Sequence, residues 1–129
     1  MKDLRILVVD DDSAFRKGVE TFLASQGCTH VRSAGSGEIA VEMIKKEVPA
    51  VVIMDLYLPQ MDGLEAISEI HKIDKNIPIF LLTCEADEIH RDIAVKLGAY
   101  DYLNKPISMS RLFSYIELRL KGHPRSQAA

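Results

Sequence analysis

The stretch Ala50-Val51-Val52-Ile53-Met54-Asp55 constrains the fold of this chain more than any other: five apolar side chains without alternation, ending on a carboxylate. A strand with one wet face would alternate. An unbroken run reads instead as a strand buried on both faces, as in a parallel sheet covered by helices. Leu56-Tyr57-Leu58-Pro59 follows, and Pro59 has no N–H with which to extend a ladder. Asp55 is therefore expected where the strand opens into a loop, and it is the first candidate for chemistry.

The rest of the chain alternates strand and helix around that run. Ile6-Leu7-Val8-Val9 is apolar and stops at Asp10-Asp11-Asp12-Ser13. Asp12 or Ser13 can cap a helix that carries Phe15, Val19, Phe22 and Leu23 at i, i+4, i+7 and i+8, and Gly27 ends it. His30-Val31-Arg32-Ser33-Ala34 is a less apolar strand, suited to a sheet edge. Ser36 caps a helix with Ile39, Ala40, Met43 and Ile44 on one face, and Pro49 closes the segment. The loop Pro59-Gln60-Met61-Asp62-Gly63 carries turn chemistry and leads to a helix burying Leu64, Ile67 and Ile70, with Asn76 and Pro78 at its exit. Ile79-Phe80-Leu81-Leu82 is the next buried strand, ending at Thr83-Cys84-Glu85, and Ile89, Ile93 and Leu97 recur at helical spacing up to Gly98. Tyr100-Asp101-Tyr102-Leu103 is a strand and Asn104-Lys105-Pro106 a turn. Ser108 then caps a last helix with Leu112, Phe113, Ile116 and Leu120 inward, ended by Gly122 and Pro124.

Repeats of this kind predict an α/β fold: a doubly wound, five-stranded parallel sheet with right-handed crossovers and helices on both faces. All strand C-termini then lie along one edge, and ligands gather where the winding reverses, which for the order 2-1-3-4-5 is between the first and third strands. Those strands end in Asp10-Asp11 and in Asp55. The same edge receives Thr83 after the fourth strand and Lys105 after the fifth.

Composition narrows the partners. A chain of 129 residues is expected to form one domain, over 1–121, with 122–129 as a polar tail or the start of a linker. The net charge of −3 and the lack of a basic patch argue against nucleic acid or an anionic membrane as direct partner. Cys28 and Cys84 have neither zinc-ligand nor disulfide spacing, which favours a reducing, cytoplasmic setting. Charges interrupt the N-terminus at once, so no ordinary secretory signal is expected, and no apolar run approaches a membrane span. The histidines His30, His71, His90 and His123 lack ligand spacing and read as surface or packing residues.

Several carboxylates packed together raise the pKa of at least one or demand a cation. A donor set of oxygens selects a hard cation such as Mg²⁺, with Mn²⁺ as the substitute. Mg²⁺ leaves positions for phosphate oxygens, so a metal beside a free carboxylate points to phosphoryl transfer. Asp55 would be the nucleophile, and Lys105 and the Thr83 hydroxyl would hold the other phosphoryl oxygens.

The chain resembles the receiver domains of two-component response regulators, close to the single-domain chemotaxis type. The matching pieces are I-L-V-V-D-D-D at 6 to 12, V-I-M-D-L-Y-L-P-Q-M-D-G at 52 to 63, L-L-T-C-E-A at 81 to 86 and L-G-A-Y-D-Y-L-N-K-P-I at 97 to 107. The resemblance implies that Asp55 is the phosphoacceptor, Asp11 a direct metal ligand, Asp10 its neighbour acting largely through water, and Tyr57 the source of a metal-binding backbone carbonyl. It makes Thr83 the phosphoryl-binding hydroxyl, Lys105 its cationic partner, Pro106 the residue of a cis peptide, and Tyr102 an aromatic switch drawn inward with Thr83. Tyr57 and Glu85 fall at the pair that tunes dephosphorylation, and Cys84 replaces a small residue beside the threonine. The implied partners are a sensor histidine kinase or phosphotransfer protein as donor, and an output domain or target protein reached through the fourth helix, fifth strand and fifth helix. The implied state is a monomer or a phosphorylation-dependent dimer. Such a domain is not a turnover enzyme, although it assists its own phosphotransfer and autodephosphorylation.

Three other readings compete. Asp10-x-Asp12 resembles the D-x-D motif of haloacid dehalogenase-like phosphatases, which would put the nucleophile at Asp10 and leave Asp55 idle. A nucleotide binder on the same fold would need Gly, Ser and Thr donors after the first strand, where this chain is acidic. A pseudo-receiver that only binds partners has no need of Asp11, Asp55, Thr83 and Lys105 together.

Overall fold

The computed structural model describes residues 4–84 and 88–121. Glu85, Gly122, His123, Pro124 and the rest of the 122–129 tail lie outside them. The elements alternate as expected: β1 (Arg5–Val9), α1 (Ser13–Ser25), β2 (His30–Ala34), α2 (Gly37–Lys46), β3 (Val51–Asp55), α3 (Gly63–Ile73), β4 (Ile79–Thr83), α4 (Glu88–Leu97), β5 (Asp101–Asn104) and α5 (Met109–Leu120). All strand pairs are parallel and the order is β2-β1-β3-β4-β5.

Strand alternation divides the core in two. Leu7, Val9, Val52, Met54, Ile79 and Leu81 face one way, toward Ala40 and Ile44 of α2, Ile67 and Ile70 of α3 and Ala94 of α4. Ile6, Val8, Val51, Ile53, Phe80 and Leu82 face the other way, toward Val19 and Leu23 of α1 and Leu112 and Ile116 of α5. With helices on both faces, the central strands have no wet side, which is why they read as unbroken apolar runs. The helix starts are set by side-chain caps: Asp12 accepts from Ala14 and Phe15, Ser36 from Ile39, Asp62 from Glu65 and Ser108 from Arg111.

Three helices turn differently from their apolar spacing. In α2 the buried line is Ala40, Val41 and Ile44, and Ile39 is 52% exposed. Leu64 of α3 is only partly buried, with Ala66 taking the deeper place. In α4 the regular line Ile89, Ile93 and Leu97 lies on the outer flank, Ile89 at 72% exposure, and only Ala94 is fully buried. α4 covers the β4–β5 margin of the sheet, where a methyl group leaves room for Tyr102 beneath it. Helical period identified the helix and could not say which of its flanks met the sheet. β5 also starts one residue later than the apolar pattern, at Asp101.

The C-terminus of α4 is tied to α3 through one ring. His71 places Nδ1 at 3.2 Å from the Leu97 carbonyl oxygen and Nε2 at 3.1 Å from that of Ile77. Gly98 passes this ring with φ +111, and a Cβ there would sit 2.5 Å from the imidazole. Gly98→Ala combines a left-handed backbone with a steric clash, and should lower stability by about 2–4 kcal/mol, read as the shift in urea midpoint at constant slope.

Candidate functional site

The reversal of winding puts the ends of β1 and β3 side by side, with Val9 paired to Met54. The residues after them, Asp10 and Asp11, thus face Asp55. One carboxylate oxygen from each of the three lies within 4.8 Å of the others. Asp10 is 1% exposed, Asp55 half-buried and Asp11 exposed.

Lys105 enters this cluster from the far end of the sheet. Its backbone N–H donates to the Thr83 carbonyl at 2.7 Å, which extends the β4–β5 ladder by one bond and fixes where the side chain starts. The Lys105–Pro106 peptide is cis. The Lys105 ammonium then reaches Asp10 Oδ2 at 2.6 Å and Asp55 Oδ2 at 3.4 Å, and stands 4.3 Å from the centre of the Phe15 ring. The ammonium therefore bonds more closely to Asp10 than to the expected phosphoacceptor. Asp10 needs it more, because a carboxylate so deeply buried has no water to solvate it.

The carboxylates differ in how they are held. Asp10 Oδ1 accepts from the Asp12 N–H at 2.9 Å, so both of its oxygens are committed. Asp55 Oδ1 accepts from the Tyr57 N–H at 3.1 Å. Burial pushes the Asp55 carboxyl above its ordinary value. The Tyr57 N–H and the Lys105 charge pull it back, the Asp10 charge adds to the rise, and the net direction is upward. Burial works against the Lys105 ammonium, but its hydrogen bond to Asp10 and the two carboxylate charges outweigh that, and the lysine is held above its usual range.

Thr83 is fully buried at the end of β4. By strand alternation it shares the α4-side face with Leu81, and Leu81 pairs with Tyr102 across the β4–β5 ladder. Thr83 and Tyr102 are therefore diagonal neighbours on one face, within reach of side-chain coupling. Tyr102 is already inside, at 3% exposure, with the Arg91 guanidinium 5.9 Å from its ring centre. Tyr57 is exposed with its ring edge against His90, centroids 6.2 Å apart, and Cys84 is exposed beside Thr83. Glu85 falls outside the described residues.

Two residues near the site were not singled out from sequence. Phe15 read only as part of the α1 apolar face, yet its ring flanks the Lys105 ammonium. Arg16 belongs to no motif in the sequence, and its Nη1 donates to the Asp10 carbonyl at 2.6 Å. The signal available was position: both lie in the first turn of the helix that follows the aspartates.

The cluster suits a hard divalent cation. Its donors are all oxygens and come from two strand ends. One ammonium does not neutralise three carboxylates. A D-x-D phosphatase reading fits the same geometry poorly. Asp10 is buried and tied up with Lys105 and the Asp12 N–H, and the Asp12 carboxylate is spent on capping α1.

Comparison with known proteins gives the family and the fold. The family model of the response regulator receiver domain matches residues 6–117. A probable transcriptional regulator ycf27 of Guillardia theta is 38% identical over 117 residues, covering 91% of this chain and 45% of that protein. The response regulator MprA of Mycobacterium leprae is 32% identical over 126 residues, covering 98% and 55%. The chain thus spans about half the length of these curated relatives. Among solved structures, a CheY-like receiver domain protein from Methanospirillum hungatei superposes with a TM-score of 0.89 at 27% identity, covering 93% of this chain and 95% of that one. Among the described residues no helix is long and apolar enough to cross a membrane.

Proposed function

The chain belongs to the response regulator receiver domain family, and on that premise we propose that it accepts a phosphoryl group on Asp55 from the phosphohistidine of a sensor histidine kinase or phosphotransfer protein. As a receiver domain it is a signalling module, and the modified Asp55 is its message. The observation that carries this reading is the Lys105 ammonium lying between Asp10 and Asp55, at 2.6 and 3.4 Å, on the edge where the winding reverses.

In the transfer a carboxylate oxygen of Asp55 bonds to phosphorus as the P–N bond to the donor imidazole breaks. The imidazole leaves with the electron pair and is protonated by solvent. Asp11, Asp55 and the Tyr57 backbone carbonyl, with Asp10 acting through water, would hold Mg²⁺ or Mn²⁺. Bound there, the cation supplies the positive charge that lets a phosphate approach three carboxylates. Lys105 needs only a short swing from Asp10 to pair with a phosphoryl oxygen, and the Thr83 hydroxyl donates to another. Tyr57, exposed two residues after Asp55, and Cys84, exposed beside Thr83, would tune how fast water removes the phosphoryl group.

The output leaves through α4, β5 and α5. Thr83 and Tyr102 share the α4-side face of adjacent strands, so a hydroxyl drawn toward the phosphoryl group alters the packing under Ala94 and biases one of two positions of α4. A groove of about 490 Å³, lined by Arg91, Tyr102, Asn104, Ile107, Arg111 and Tyr115, opens on that face.

The test is incubation with acetyl phosphate and Mg²⁺. The expected result is a mass gain of one phosphoryl group, mapped to Asp55 and lost in EDTA. No gain, or a gain elsewhere, would overturn the assignment. The switch has its own check: beryllofluoride should shift the amide resonances of Arg91 and Tyr102, and an unchanged face would remove Tyr102 from the mechanism.

A further inference from the structure

The three aspartates after β1 are not held alike. Asp10 is anchored at four points: its N–H donates to the Ala34 carbonyl at 3.1 Å, its carbonyl accepts from Arg16 Nη1 at 2.6 Å, and its carboxylate takes the Asp12 N–H and the Lys105 ammonium. Asp12 is fixed as the cap of α1. Asp11 lies between them and is exposed. What aims the Asp11 side chain is therefore the backbone on either side of it.

The carbonyl that Arg16 holds belongs to the peptide joining Asp10 to Asp11. Holding its oxygen restrains that peptide, the Asp12 N–H bonded to Asp10 Oδ1 restrains the next one, and between them they limit the direction in which the Asp11 Cα–Cβ bond leaves the chain. The guanidinium is in turn supported from β2 and its following loop. A Cβ at Gly35 would lie 3.3 Å from Arg16 Nη1, 3.8 Å from Cζ and 4.0 Å from Nη2, so the guanidinium occupies the space next to the glycine. A Cβ at 35 would require the guanidinium to shift by a few tenths of an ångström.

We infer that Arg16 is a positioning residue for the cation site: it locks the Asp10–Asp11 peptide so that the Asp11 carboxylate is already turned toward Asp55 before a divalent ion arrives. Groups that orient metal ligands change affinity rather than chemistry, and their loss typically weakens binding by about 10–100-fold. The guanidinium matters because its rigid fork places Nη1 on the Asp10 carbonyl while the group sits close to where a Gly35 side chain would begin. A lysine offers a donor on a flexible stem and would restore only part of the effect.

This inference rests on the reading of Asp11 and Asp55 as cation ligands, and the experiment separates the two. Amide shifts of ¹⁵N-labelled protein are followed during Mg²⁺ titration for the wild type, Arg16→Lys, Arg16→Met and Gly35→Ala, alongside the acetyl phosphate labelling rate as a function of Mg²⁺. The expected result is a Kd for Mg²⁺ raised about 10–100-fold in Arg16→Met, intermediate in Arg16→Lys and raised in Gly35→Ala, with the labelling rate at saturating Mg²⁺ close to wild type. Folding is checked by the undisturbed shifts of the α3 and β4 amides. If the wild type binds Mg²⁺ and Arg16→Met binds it equally well, the positioning role is wrong and the functional reading stands. If the saturated rate falls with Kd unchanged, Arg16 acts on the chemistry and the inference fails. A wild type whose Asp11 and Asp55 amides ignore Mg²⁺ overturns the functional reading and this inference with it.

Discussion

Asp55→Asn is expected to abolish acyl-phosphate formation and, at the same time, to make the metal-free protein more stable by about 0.5–2 kcal/mol, the usual gain when a residue kept for function is relieved of its cost. The loss is complete because an amide oxygen is too poor a nucleophile to attack phosphorus. The gain follows from the raised pKa: burial, and then the Asp10 charge, disfavour the ionised form more than the Tyr57 N–H and Lys105 favour it. A carboxyl whose folded pKa lies above its unfolded one is least costly when protonated. Its penalty is absent below the unfolded pKa, grows as pH rises from the unfolded to the folded pKa, and is full above the folded pKa. The difference between Asn and Asp should therefore be largest near neutral pH and close as the solution is taken down into the carboxylate range. Saturating Mg²⁺ should also narrow it, because only the wild type presents the full carboxylate set. Urea unfolding of both proteins across pH, with and without Mg²⁺, measures all of this. An Asn variant less stable than wild type at neutral pH would mean that Lys105 outweighs burial and repulsion at Asp55.

The topology and the convergence of Asp10, Asp11, Asp55 and Lys105 on one rim are legible in the chain because they follow from strand patterning and the order of winding. Apolar runs without alternation mark doubly covered strands. Asp62, Ser36 and Ser108 stand where helices must begin, and the order of winding sends every strand end to one rim. Pairing between distant side chains is another matter. Lys105 and Asp10 are 95 positions apart, and nothing in spacing says that the ammonium prefers Asp10 at 2.6 Å to Asp55 at 3.4 Å. That preference depends on how deeply each carboxylate is buried, which only the packed fold decides. The roles of Phe15 and Arg16 were hidden for the same reason, since a first-turn aromatic and a first-turn arginine read as core and solvent until the ends of β2 and β5 come to meet them. The flanks of α2 and α4 failed for a geometric reason. A helix at the margin of a sheet buries only a narrow strip, so a small residue such as Ala94 can take the core position while Ile89 stays outside.

Lys105→Met should damage both the fold and the chemistry, by separable routes. Asp10 is 1% exposed, and its Oδ2 has the Lys105 ammonium as its hydrogen-bond partner. Removing one member of a buried ion pair leaves the other charge uncompensated, at a cost of about 3–5 kcal/mol. The lysine side chain is 21% exposed, so water can follow into part of the space and the expected loss is about 3 kcal/mol, the lower end of that range. The loss belongs to the abandoned carboxylate. Asp10→Asn combined with Lys105→Met should therefore recover most of it, and the double-mutant cycle should show a coupling well above the scatter for independent sites. Phosphotransfer should not recover with it. A missing donor to the developing phosphoryl charge lowers the rate by about 10²–10³, and the double variant, stable again, should still label that slowly with acetyl phosphate. Stability restored together with full labelling would show that Lys105 serves only to hold Asp10 in the core, and a single variant as stable as wild type would show that Asp10 finds solvent despite its burial. The expected pattern, stability rescued and rate not, follows from the position of the ammonium: it is bonded to Asp10 in the resting protein and lies within a short swing of any group that arrives on Asp55.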